Sequence, residues 1–94
     1  MAIATTDPRT GEVLRTFDEL TDEQVEDRLA RAAAAASTYR LTDHGKRAGW
    51  LRTAADLLEK RTDEVAELMT LEMGKTKKAS AAEIGKCVKV LRYY

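Results

Sequence analysis

This 94-residue chain has one histidine, His44, and one cysteine, Cys87, two residue types that often perform acid–base, metal-binding or nucleophilic chemistry. His44 is the single histidine, and no second histidine, cysteine or carboxylate lies at a metal-ligand spacing from it, so we expect a surface residue in the first turn of a helix. Cys87 is the single cysteine. It falls on the apolar side of a predicted helix without a neighbouring histidine to activate it, which predicts core packing rather than catalysis. The sequence therefore indicates no catalytic, cofactor-binding or metal-ligating residue.

Two further segments could bind anions. The run Asp7-Pro8-Arg9-Thr10-Gly11 has too few glycines for a phosphate loop and lacks a following Lys-Ser/Thr pair, so it predicts a tight turn. From Lys75 onward the chain has six basic residues and one acidic residue, which leaves −5 on the first 74 residues. Lysines 75, 78, 86 and 89 gather on one side of the last predicted helix. They could bind phosphate or an acidic surface, but we favour a solvated helix face.

The composition limits the class of protein. Sixteen Lys and Arg residues balance sixteen Asp and Glu residues, so the whole chain has no charge excess that would indicate a nucleic-acid or membrane partner. No signal peptide or membrane span is evident, and a single cysteine cannot form an internal disulfide, which predicts a cytoplasmic protein. Leu, Ile, Val and Phe together number 18, close to the level at which a chain struggles to build a core. We expect apolar helix faces that need another surface to cover them.

The sequence predicts a β-hairpin followed by about four helices. The predicted fold is therefore mainly α. The hairpin covers residues 1–17, with its turn at the Asp-Pro segment. The helices are predicted over 21–39, 43–61, 62–73 and 76–94. Their start and stop signals are a capping box at Thr21, a cap at Thr42 or Asp43, a cap at Thr62, a left-handed glycine at Gly74 and a cap at Thr76. One bent helix over 43–73 is an alternative, but the Thr-Asp-Glu at 62–64 favours a break.

Six segments, in order and in register, resemble the amino-terminal part of the aldehyde dehydrogenase family. They are Asp7 to Val13, Lys46-Arg47 with Trp50-Leu51, Ala55 to Glu59, Leu68 to Lys75, Ala82-Glu83 and Arg92-Tyr93-Tyr94. Within the family, the sequences of these segments are most similar to those of bacterial succinate-semialdehyde dehydrogenases. The resemblance covers essentially the whole chain.

The resemblance implies an NAD- or NADP-dependent oxidation of an aldehyde, such as succinate semialdehyde, to the acid. In the family a catalytic cysteine forms a thiohemiacetal, hydride passes to the nicotinamide and a glutamate assists hydrolysis. Those segments lie beyond this chain, so Cys87, Glu72 and Glu83 receive no catalytic role. The cofactor is expected to bind the full-length enzyme and not this chain alone. The implied partners are the rest of the enzyme chain, further copies in a homo-oligomer and the aldehyde substrate, without nucleic acid or membrane.

The resemblance also implies that the hairpin and helices belong to an α/β cofactor-binding domain, packed against a parallel sheet outside this chain. The last predicted helix lacks a Gly or Asn stop signal, which favours a fragment of a longer protein. The alternative is a stand-alone helical interaction module that binds an acidic partner through the basic helix from Thr76 to Tyr94. Such a module should have a closed core.

Overall fold

The computed structural model describes residues 3–94 and contains a two-stranded hairpin followed by four helices. The elements are β1 (Ile3–Thr6), β2 (Val13–Phe17), α1 (Asp22–Tyr39), α2 (His44–Lys60), α3 (Thr62–Met73) and α4 (Lys77–Tyr93). The predicted fold class and element order are confirmed. Residues 1 and 2, which the sequence assigned to the hairpin, lie outside the described residues.

The hairpin turn is held by its own polar groups. β1 and β2 pair antiparallel, with Ile3 opposite Phe17 and a register shift at Thr5/Thr6. The Gly11 N–H donates to the Asp7 carbonyl at 2.8 Å, and Gly11 adopts φ 76°, which glycine tolerates without steric cost. The buried Asp7 carboxylate accepts from the Arg9 backbone N–H at 2.9 Å and from its guanidinium at 2.8 Å. The Arg9 guanidinium and the backbone N–H groups of Arg9 and Gly11, which could bind an anion, therefore form hydrogen bonds within the turn. This agrees with the predicted tight turn.

The first two helices begin with the caps that the sequence predicts. The Thr21 hydroxyl accepts from the Gln24 N–H at 3.2 Å, and the Gln24 side chain accepts from the Thr21 N–H at 3.0 Å, which completes a capping box. At α2 the Asp43 carboxylate accepts from the Lys46 N–H at 2.7 Å. Asp43 rather than Thr42 is therefore the cap.

The break between α2 and α3 is confirmed, but the predicted Thr62 cap is wrong. Thr62 is already the first residue of α3, and its hydroxyl donates to the Glu59 carbonyl at 2.7 Å. Among residues 3–94, no side chain caps the α3 N-terminus. The physical reason is the backbone: Arg61 turns the corner at φ −104°, ψ 20°, whereas a capping residue needs an extended conformation.

The hairpin turn lies against the corner between α3 and α4. Gly74 ends α3 in the left-handed conformation at φ 71°, as predicted, and its N–H donates to the Thr70 carbonyl at 3.0 Å. Thr76 then caps α4 by accepting from the Ala79 N–H at 3.2 Å. A Cβ atom added to Gly74 would lie 3.1 Å from Cγ of Pro8 in the hairpin turn. Gly74 therefore meets two requirements, a positive φ and a close approach.

Helices α2, α3 and α4 form a layer with a small core. α4 packs against both α2 and α3, and the buried apolar residues are Ala55, Ala66, Ile84 and Val88. In the described chain, α1 buries none of its residues. The molecule measures 48 × 37 × 14 Å, and its radius of gyration of 17.5 Å exceeds the roughly 12 Å of a compact domain of this length. The expectation of a core-poor chain is confirmed.

Gly74→Ala should lower the free energy of unfolding by roughly 1–2 kcal/mol, because the methyl group disfavours positive φ and crowds Pro8. Gly85→Ala is the matched control, since Gly85 lies inside α4 with nothing within 4 Å of an added Cβ. That variant should gain about 0.5–1 kcal/mol from helix propensity. Thermal unfolding of both variants checks the prediction, and a Gly74→Ala protein as stable as Gly85→Ala would contradict it.

Candidate functional site

His44 lies where the sequence predicts, at the first position of α2, and it is exposed. Within residues 3–94, no three His, Cys, Asp or Glu side chains come together in a geometry that could hold a metal ion. His44 therefore has neither the ligand partners nor the enclosed surroundings that metal or acid–base chemistry would require.

Cys87 does not pack in the core, so that prediction is wrong: the side chain is exposed. The buried side of α4 is a narrow stripe formed by Ser80, Ile84 and Val88. Cys87 lies about 60° around the helix from Ile84, beyond the reach of the two helices that cover α4. The helical wheel predicts one apolar stripe of Ile84, Cys87, Val88, Leu91 and Tyr94, but Tyr94 is 75% exposed. The stripe inferred from the sequence is wider than the surface that α2 and α3 cover.

An exposed apolar surface lies beside the buried stripe, and we name it the α4 face. It consists of the exposed Cys87, Val90 and Tyr94 and the half-buried Leu91, which also packs against the core. Val90 is 54% exposed, and the ionic residues Glu83 and Lys86 border the surface. An apolar patch with a polar border is typical of a surface that contacts protein.

The basic side of α4 is less open than its sequence suggests. Lysines 78, 86 and 89 are exposed, but Lys75 forms an ion pair with Glu83, which lowers the pKa of that carboxyl. The Arg92 guanidinium donates to Asp56 at 3.0 Å and to Glu59 at 2.7 Å, and it lowers the pKa of Glu59 below its usual range. Two of the six basic groups therefore form ion pairs within the chain, and those of Arg92 join α4 to α2, which weakens the case for an anion-binding surface.

An aromatic and cationic cluster at the corner between α1 and α2 was missed by the sequence analysis. The rings of Tyr39 and Trp50 stack with centroids 5.7 Å apart. The Arg47 guanidinium lies 4.7 Å from the Tyr39 centroid and donates to the Tyr39 carbonyl at 3.0 Å, while Lys46 lies over Trp50. The spacing of Lys46 and Trp50, four residues apart on one helix, is a signal that could have identified half of this cluster. The cluster is the contact between the last residue of α1 and the first turns of α2.

The described residues thus offer contact surface rather than a reaction centre. Large apolar side chains that are more than half exposed occur on every element from β1 to α4; they include Ile3, Val13, Leu29, Tyr39, Leu57, Leu68, Met73 and Val90. A monomer that had closed its core would cover most of these residues. An enclosed core is also what the stand-alone module would require, so that alternative gains no support.

Comparison with known proteins identifies the chain. The sequence model of the aldehyde dehydrogenase family matches residues 1–94, which is the whole chain. The chain belongs to the aldehyde dehydrogenase family.

Within residues 3–94, no helix is long and apolar enough to cross a membrane.

Aldehyde dehydrogenase relatives match the chain along its full length. Succinate-semialdehyde dehydrogenase [NADP(+)] 1 of Mycobacterium tuberculosis is 49% identical over 94 residues, which are 100% of this chain and 21% of the relative. Succinate-semialdehyde dehydrogenase [NADP(+)] of Mycobacterium avium is 50% identical over 95 residues, covering 100% of this chain and 20% of the relative. The chain thus spans about a fifth of the length of these enzymes.

A solved structure has the same fold as this segment. It is an NADP-dependent glyceraldehyde-3-phosphate dehydrogenase from Bacillus halodurans C-125, complexed with NADP. The superposition has a TM-score of 0.86 at 28% identity and covers 99% of this chain and 19% of that enzyme. The resemblance to the aldehyde dehydrogenases inferred from the sequence motifs is confirmed.

Arg92→Gln should return the pKa of Glu59 toward its ordinary value of 4.5, because hydrogen bonding to the guanidinium is the main cause of its lowering. A carboxyl whose folded pKa is lowered adds stability above its unfolded pKa, and that stability is lost as the pH falls through the folded pKa. The variant should therefore lose stability at pH 7 and show a flatter stability profile below about pH 4.5. Titration of Glu59 by NMR, with Lys78→Gln as the charge-matched control, checks this. An unchanged Glu59 pKa in Arg92→Gln would contradict it.

Proposed function

We propose that this chain is the N-terminal segment of an NADP-dependent aldehyde dehydrogenase that oxidises succinate semialdehyde to succinate. The observation that carries the proposal is the 49% identity across all 94 residues to mycobacterial succinate-semialdehyde dehydrogenase [NADP(+)] 1. The names of that relative and of the Bacillus halodurans enzyme favour NADP over NAD. Identity spread over the whole chain supports a common architecture more strongly than any single motif.

The segment's role in that enzyme is structural. Its helical layer is 14 Å thick and leaves apolar side chains uncovered, which suits an outer layer of an α/β cofactor-binding domain. The rest of the enzyme chain would cover one side of the layer, and further copies would join in a homo-oligomer in the cytoplasm. Catalytic and cofactor-binding residues are assigned to the sequence beyond this segment.

The residues present here do not fit a dinucleotide. Among residues 3–94, the glycines with positive φ are Gly11 and Gly74. The space beside Gly74 is filled by Pro8, and the carboxylate at the Gly11 turn already binds Arg9. Each of these turns has a single glycine, whereas the turn that receives a pyrophosphate at a helix N-terminus is glycine-rich. We therefore derive no catalytic step from this segment.

The isolated 94-residue chain should show no oxidation of succinate semialdehyde with NAD or NADP, as measured by the appearance of reduced nicotinamide at 340 nm. A complete enzyme that carries this segment should turn the aldehyde over, with NADP preferred. Cys87→Ser in that enzyme should leave kcat unchanged, because Cys87 is an exposed side chain with no activating partner. Turnover by the isolated chain that Cys87→Ser abolishes would overturn the assignment.

A further inference from the structure

One arginine of α2 binds the end of α1. The Arg47 Nη2–H donates to the Tyr39 carbonyl at 3.0 Å, and its Nε–H donates to the Thr42 hydroxyl oxygen at 2.8 Å. That hydroxyl donates in turn to the Tyr39 carbonyl at 2.7 Å. Carbonyl groups at a helix C-terminus lack donors within the helix and form the negative end of its dipole, so they attract a cation. Arg47 therefore binds the last residue of α1 both directly and through Thr42.

The hydrogen bonds of the connecting loop divide into two groups. The N–H groups of residues 40–42 donate back into α1, whereas Asp43 caps α2. Among residues 3–94, the hydrogen bonds that cross from α2 to α1 and this loop are the two donated by the Arg47 guanidinium. The loop thus secures each helix end separately, and Arg47 joins the two ends.

The direction of α1 has little other support within the described part of the chain. Between residues 3 and 94, α1 buries none of its side chains and packs against no other helix or strand beyond this corner. Its 18 residues make a rod about 27 Å long. A rotation of about 20° at the corner would therefore displace the N-terminal end of α1 by about 9 Å.

The stacked rings of Tyr39 and Trp50 also span the corner, but they restrict its angle less. The two residues are 51% and 45% exposed. Stacked rings can slide and rotate against each other over a broad range of geometries, whereas a hydrogen bond weakens steeply when it bends. The Arg47 hydrogen bonds are accordingly the directional contacts of this corner.

We propose that Arg47 is a positioning residue that sets the direction of α1 relative to the layer of α2, α3 and α4. The proposal does not depend on the enzymatic activity, and the contacts that carry it require neither a second copy nor further sequence. A guanidinium suits the role because it donates in two directions while its plane packs on a ring, here 4.7 Å from the Tyr39 centroid. α1 is thereby ordered before another surface covers it, which lowers the entropic cost of that contact.

Distance measurement between two spin labels tests the proposal. The labels are attached at Glu26→Cys in α1 and Lys60→Cys at the end of α2, both exposed positions, in a Cys87→Ser background that removes the native thiol. Double electron–electron resonance then reports the distribution of distances between the two helices. Circular dichroism checks that each variant keeps its helices, since no substitution removes a hydrogen bond within a helix.

Arg47→Gln should at least double the width of this distribution, because the shorter amide cannot reach both acceptors. Arg47→Lys keeps the charge but loses the two-direction geometry, so its width should lie between those of Arg47→Gln and the wild type. Arg52→Gln removes the same charge from an exposed position of the same helix and should keep the wild-type width.

Thr42→Val tests the same connection from the loop. It keeps the branched shape of the side chain but removes the hydroxyl between Arg47 and Tyr39, and it should widen the distribution by about half. A distribution in Arg47→Gln no wider than in Arg52→Gln would overturn the proposal and assign the direction of α1 to the loop backbone. An unchanged width in Thr42→Val would exclude the connection through its hydroxyl.

Discussion

The packing of α4 between α2 and α3 is the interaction on which the rest of this chain depends. Its buried apolar contacts come from Ala55, Ala66, Ile84 and Val88, so two of the four are alanines. Small side chains let helices approach closely but remove little apolar area from water. The layer is accordingly supported at its edges by polar contacts, of which the Arg92 ion pairs with α2 are the most extensive. Each ion pair is solvent-exposed, so the layer remains sensitive to pH and salt.

Most features set by neighbouring residues could be predicted from the sequence, although the Thr62 cap was not among them, and features set by distant residues could not. The caps at Thr21, Asp43 and Thr76 and the left-handed Gly74 follow from local backbone chemistry. The error at Cys87 has a different origin, since the width of a buried helix stripe depends on how many neighbours cover it. A helical wheel contains no information on that number.

The same distinction explains the electrostatics of the molecule. The sequence separates −5 on the first 74 residues from +5 on the remainder, which suggests an open basic helix. The fold brings Arg92 to the Glu59 and Asp56 carboxylates, 33 and 36 residues away, so part of that separation is neutralised internally. Pairings at such distances along the chain depend on the direction of α2 relative to α4. Family membership, in contrast, was accessible from the sequence because the six motifs are spread along the whole chain.

The corner between α1 and α2 makes the chain's single tryptophan an intrinsic optical reporter. Trp50 stacks on Tyr39, the last residue of α1, and the Lys46 ammonium lies over the Trp50 ring. The buried core lies elsewhere, around Ile84 and Val88. The emission of Trp50 therefore senses the attachment of α1 and the hydration of this corner, while far-ultraviolet dichroism senses the helices as a whole. Loss of α1 from the corner and melting of the three-helix layer are consequently two events with separate spectroscopic signals.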